Sequence, residues 1–251
     1  MNVRYAVYFI PGPDTALAAL GSALLGRDSE TGRKIPHMRL PGFSLRRVHD
    51  LTADPRRYGL HATLKAPFFV KQGMTERDLL RSAARFVTGR QSILLPRLAL
   101  ARISSFFALI PSVNTPEEQA AVQCVNALAA DAVSFFDPFR AAPSEQERAR
   151  REQPALTMRQ RTLLAEWGYP YVFDEYRFHI TLTGTLRDSV VSHAVEESLR
   201  GYCEAACCEN IAVAGICVCR QVNDRPFMLL QRFCFQDYTA VQATGFPPSR
   251  E

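Results

Sequence analysis

The chain has 251 residues, 47% apolar and 22% charged, with a net charge of +5. This composition supplies a sizeable core and excludes a disordered chain, and no apolar run reaches the roughly 20 residues of a membrane helix. The mild positive excess suits a small anion and a nucleic acid alike, so charge does not choose between them.

The opening "MNVRYAVYFIPGP" lacks the tail of a secretion signal, and the expected location is the cytoplasm. Residues 4–10 read as a strand that stops at Pro11-Gly12-Pro13. Asp14 is the expected N-cap of a short helix through "TALAALGSALLG". Residues 26–57 show no periodicity and read as a long irregular connection, placed over a site. Residues 60–70 read as a strand, and Thr75 with Asp78 makes a capping box for the next helix. Residues 93–104 and 106–112 read as two paired strands.

Two helices follow. The first carries Thr115, Pro116 and Glu118 at its start, and the second carries Thr157 and Gln160, with Gly168 as its stop. The charged run at 144–161 reads as a solvated helix. Residues 178–186 read as a strand, Asp188 caps a helix, and 211–222 and 226–236 read as strands joined by Asn223-Asp224. The order strand, helix, strand, strand thus occurs twice. Seven cysteines without a C-x-x-C pair read as reduced thiols, with Cys217 and Cys219 on one strand face.

Both copies of the repeat open on His-x-Thr-Leu, at His61 and at His179. Along a strand, alternate residues share a face. His61, Thr63 and Lys65 are therefore expected on one polar face, and Arg177, His179, Thr181, Thr183 and Thr185 on another. Two such rows meeting in one cleft present two imidazoles, several hydroxyls and an ammonium, with no carboxylate. That set argues against a metal centre and favours an anion. Two imidazoles at phosphorus suit general acid–base catalysis, one taking the proton of water and the other protonating the departing alkoxide. Thr63, Thr181 and Lys65 are then expected to hold the non-bridging oxygens. His37, His49 and His193 read as surface or packing residues. No G-x-S-x-G, G-x-x-x-x-G-K-[ST] or G-x-G-x-x-G occurs, so serine hydrolysis and nucleotide binding have no motif.

The pair His61-Ala62-Thr63-Leu64 and His179-Ile180-Thr181-Leu182 resembles the twin H-x-[ST]-h motifs of the 2H phosphoesterase superfamily. "DPFRAAPSEQE" and "RQRTLLAEWGYPYVFDEYRFHITLTGTL" look like an uncharacterised branch of it associated with phosphonate (carbon–phosphorus lyase) metabolism. The resemblance implies an α+β fold with two lobes, pseudo-two-fold symmetry and antiparallel sheets lining a central cleft. The lobes are expected at about 1–113 and 114–251 of a single domain. It also implies metal-independent chemistry without a cofactor, with His61, His179, Thr63 and Thr181 catalytic and Lys65, Thr183 and Tyr8 touching the substrate. The substrate it suggests is a small cyclic phosphate such as the ribose 1,2-cyclic phosphate of phosphonate breakdown. The protein is expected to be a monomer with no membrane partner. Two other readings stay open: an RNA 2′,3′-cyclic phosphodiesterase or 2′-5′ RNA ligase-like enzyme, and a non-catalytic module that binds phosphate esters.

Overall fold

The structure, a computed structural model, describes residues 2–143 and 156–236. Most of the charged run read as a solvated helix, and the last residues of the chain, lie outside them. The fold is α+β. Its strands are β1 (Val3–Phe9), β2 (Ala62–Phe69), β3 (Ile93–Leu95), β4 (Leu98–Ile103), β5 (Phe106–Pro111), β6 (Ile180–Thr181), β7 (Ile211–Val213), β8 (Gly215–Val222) and β9 (Met228–Cys234). Its helices are α1 (Ala16–Leu25), α2 (Leu45–Leu51), α3 (Ala53–Arg56), α4 (Glu76–Val87), α5 (Pro116–Phe136), α6 (Met158–Trp167) and α7 (Ser189–Ala206).

Every ladder is antiparallel. One sheet runs β2-β1-β8-β9, a second runs β4-β5-β6, and β3 pairs with β7. The repeat is visible in this topology, in a frame different from the expected one. Its unit is a strand, a helical connection, the His-x-Thr strand, a helix and two strands: β1 to β4, then β5 to β8. Each sheet borrows a strand from the other unit. β8 lies beside β1, and β4 lies beside β5. Neither sheet is contiguous in sequence, so strands from both sides of the expected boundary at 113/114 interleave.

Capping chemistry placed most helix starts. Thr75 with Asp78, Thr115 with Glu118 and Thr157 with Gln160 form the expected boxes, and Asp188 caps α7. At α1 the cap is Thr15, whose hydroxyl accepts from Ala18 N at 3.2 Å, and not Asp14. The connection 26–57 holds the helices α2 and α3, so it is more ordered than its composition suggests. Its carbonyls and side chains tie down other segments: Leu51 O accepts from Gly184 N at 2.7 Å, and Arg57 O accepts from Phe227 N at 2.8 Å.

Two long strands expected from sequence are each broken in two. Residues 93–104 split around Pro96, which has no N–H to give a ladder, and 211–222 split at Ala214. The strand expected over 178–186 shrinks to β6. The Thr183 hydroxyl accepts from Phe107 N at 3.0 Å, which ends the ladder, and Gly184 turns away to Leu51.

β1 is buried on both faces. Tyr5, Val7 and Phe9 enter the main core with Leu64, Phe107, Phe136 and Ile180, while Ala6, Tyr8 and Ile10 join Cys217, Cys219 and Phe227 in a smaller cluster. The second face carries the site.

Candidate functional site

His61 stands immediately before β2, and His179 immediately before β6. In both, Nδ1 lies 2.8 Å from the carbonyl two residues earlier, that of Gly59 for His61 and of Arg177 for His179. A carbonyl only accepts, so Nδ1 carries the proton in each ring and Nε2 is left for chemistry. The two arms share this device although their sequences differ there. Gly59 has φ +78, a backbone shape that favours glycine, and an added Cβ would lie 2.9 Å from Ser29 Oγ. The same Ser29 hydroxyl accepts from Leu60 N at 2.6 Å, which fixes the turn into His61.

The arms come together. Cα atoms of β2 and β6 approach within 8 Å, and the charge of His179 is felt at His61. His61 is only partly open and is pushed down to about 4. Burial is the main cause, the Gly59 carbonyl opposes it, and His179 adds to it. The wall is aromatic. The Tyr8 ring lies 4.0 Å from the His61 ring and the Tyr58 ring 5.9 Å, and Tyr58 stacks on Phe227 at 5.4 Å. At His179 one ring is near among the described residues, Phe106 at 6.1 Å.

The threonines occupy matching places. Thr63 is the ladder partner of Tyr8, and Thr181 of Ala108. Both side chains are partly exposed, and neither hydroxyl bonds another residue among those described. Together with the two Nε2 atoms, they form a polar set of the kind that binds an anion.

Two expected contacts are corrected. Lys65 does not share the face of Thr63. The ladder pairs Tyr8 with Thr63 and Val7 with Lys65, so Leu64 is an extra residue and alternation resets there. The Lys65 ammonium is buried, donating to Val133 O at 2.8 Å and pairing with Asp137 at 3.0 Å. It closes the C-terminal end of α5, where a cation meets free carbonyls and the negative end of the helix dipole. Burial pulls it down to about 8 against the pull of Asp137. Thr183 is likewise buried, its hydroxyl accepting from Phe107 N and donating to Gly184 O at 2.9 Å. Tyr8 is nearly inaccessible and lies against His61, so its ring touches an imidazole.

Sequence reasoning missed Tyr58, Gly59, Phe106, Phe227 and the carbonyl of Arg177. Tyr58 and Gly59 adjoin the first motif and were within reach of a local reading. Phe106 and Phe227 come from distant strands. Among the described residues, no group of three or more His, Cys, Asp or Glu side chains gathers to hold a metal ion. The hollow of about 660 Å³ between α7 and Pro41-Gly42 contains neither imidazole, so chemistry and not volume marks the site. No helix among the described residues is long and apolar enough to cross a membrane.

A family model described as a protein of unknown function (DUF1045) matches residues 63–228. The chain is 36% identical over 236 residues to a ribose 1,5-bisphosphate phosphokinase PhnN of Janthinobacterium sp. (strain Marseille), covering 92% of this chain and 51% of that one. A protein of the same name from Laribacter hongkongensis (strain HLHK9) is 36% identical over 184 residues, covering 73% of this chain and 40% of that one. The chain thus spans about half the length, or less, of these curated relatives. A crystal structure of a conserved protein of unknown function from Agrobacterium tumefaciens str. C58 aligns with a TM-score of 0.43 and 10% identity, over 93% of this chain and 87% of that one.

Proposed function

This chain belongs to the DUF1045 family of proteins of unknown function, and we propose that it is a metal-independent phosphoesterase of the 2H type that opens a small cyclic phosphate. One observation carries the reading. Two imidazoles within each other's field are held alike, Nδ1 on a carbonyl and Nε2 free, each beside a threonine hydroxyl that bonds no other described residue.

Neutral His61 takes a proton from water through Nε2 as the water oxygen attacks phosphorus. The ring P–O bond breaks, and His179, which enters this step as the imidazolium with a proton on both nitrogens, gives its Nε2 proton to the departing alkoxide. Thr63 and Thr181 donate to the non-bridging oxygens as charge builds on them. The product is a phosphate monoester beside a new hydroxyl. The repeated strand order and the exchange of β4 and β8 support a two-armed cleft of this kind.

The relatives' name states a phosphokinase acting on ribose 1,5-bisphosphate. This chain has no G-x-x-x-x-G-K-[ST] and spans about half or less of those relatives, so their kinase reaction is not carried over to it. A ribose phosphate bearing a cyclic phosphate, as in phosphonate breakdown, fits both that neighbour and this site.

The test is turnover of 2′,3′-cyclic nucleotides and ribose 1,2-cyclic phosphate with EDTA present, alongside ATP with ribose 1,5-bisphosphate. Hydrolysis of a cyclic phosphate and no phosphoryl transfer is expected. Wild type no more active than His61→Ala and His179→Ala across the panel would sink the reading. An RNA-processing enzyme would instead show tight RNA binding that falls steeply with salt.

A further inference from the structure

With Lys65 committed to α5, neither motif strand offers the cleft a lysine. Exposure alternates from Arg177 to Leu182: Arg177 exposed, His179 and Thr181 partly exposed, Phe178, Ile180 and Leu182 buried. Arg177, His179 and Thr181 therefore share one face. The Arg177 guanidinium has no ion pair or hydrogen bond to another described residue, while its carbonyl holds His179 Nδ1. Its backbone is thus fixed to the catalytic ring and its charge is free.

The arms also differ in room. The ladder partner of Thr181 is Ala108, where that of Thr63 is Tyr8. The position that holds the imidazole is Arg177 in one arm and Gly59 in the other. One end of the cleft is aromatic and the other is open and cationic. Arg177 lies two residues before His179, on the side away from Thr181. Along the chain it thus lies outside the second histidine–threonine pair and not between His179 and Thr181. A planar guanidinium suits bidentate contact with a phosphate monoester.

We propose that Arg177 recognises a second anionic group, a phosphate monoester carried by the alcohol part of the cyclic phosphate. This rests on the phosphoesterase reading and adds the residue that selects cyclic phosphates bearing a separate phosphate.

The experiment compares adenosine 2′,3′-cyclic phosphate with and without a 5′-phosphate, in wild type, Arg177→Gln, Arg177→Lys and the surface control Arg81→Gln. A charge-assisted contact is worth about 1.5–3 kcal/mol, or roughly 10–100-fold. Arg177→Gln should lose about that much in kcat/KM on the 5′-phosphorylated substrate and under about 3-fold on the other, with Arg177→Lys between and Arg81→Gln unchanged. Equal loss on both substrates, or no loss on either, overturns the proposal and leaves the His/His reading standing. If wild type turns over neither, the phosphoesterase reading falls, and calorimetric binding of ribose 5-phosphate decides for Arg177. Binding lost in Arg177→Gln supports the second-anion site, and binding absent or unchanged overturns it.

Discussion

His61 and His179 each stand two residues before a threonine, and the strand across the ladder decides how open each arm is. Tyr8 faces Thr63 and lies against His61, whereas Ala108 faces Thr181 and, among the described residues, Phe106 is the one aromatic ring beside His179. The backbone repeats and the side chains do not. Equal carbonyl contacts of 2.8 Å give both rings the same tautomer, while the closer wall around His61 holds that ring down to about 4. Under the proposed reaction, the two rings of this symmetric scaffold divide into an acid and a base.

The largest effect should come from removing either ring. His61→Ala and His179→Ala are each expected to lower kcat by about 10²–10⁴-fold on the preferred cyclic phosphate. The double variant should be scarcely worse than the poorer single one, because the groups act as a unit. Steady-state rates check this. Either single variant turning over like wild type would break the pairing of the arms.

The next contrast lies between motif positions that look alike and are not. Lys65→Met strips Asp137 and Val133 O of a buried cation, and breaking such a pair costs about 3 kcal/mol. Thermal or urea melts should show that loss, with the turnover of the folded fraction kept. A collapse of turnover at unchanged stability would return Lys65 to the substrate.

The misplacement of Lys65 shows where sequence reading stops. The capping boxes are local patterns, and they stand in the structure as read, whereas the repeated order stands in a shifted frame. The rest depended on chain geometry that no window of residues contains. The extra residue at Leu64 reset the alternation that had put Lys65 beside Thr63. Strand exchange moved the boundary of the repeat, because pairing partners are chosen across the whole chain. It also put Phe227, which follows the second motif in sequence, against the Tyr58 and Tyr8 rings of the first arm. Phe106, which follows the first motif, lies beside His179 of the second.

A third test shifts the unequal walls toward equality. Tyr58→Ala opens the side of His61 at little cost to the core, since Tyr58 is itself partly exposed. With less burial the imidazole should rise from its depressed position toward its ordinary value. NMR titration of the ring, and the acid limb of the pH–rate profile, should both move upward. Stability follows the same group. His61 sits at about 4 folded and near 6.5 unfolded, so between those values the unfolded chain binds more protons. Its contribution is fully present above about 6.5 and is lost as pH falls toward 4. In Tyr58→Ala that window should narrow from below. A limb that stays put would mean that the aromatic wall does not set the proton affinity of His61.

The smallest effect separates a ligand-binding hydroxyl from a structural one within a single motif. Thr181 and Thr183 are two residues apart, yet the Thr183 hydroxyl is spent on Phe107 N and Gly184 O while that of Thr181 is uncommitted among the described residues. Thr183→Val leaves the Phe107 N–H buried without its acceptor, a loss of about 1–2 kcal/mol that should appear in the melt and spare kcat/KM. Thr181→Val should do the reverse, keeping the melt within about 0.5 kcal/mol and lowering kcat/KM, since a partly exposed residue lacking such bonds has little to give the fold. If both variants moved the same quantity, the hydroxyls would not be divided between fold and ligand. The short length of β6 would then need another cause than the side chain that now ends its ladder.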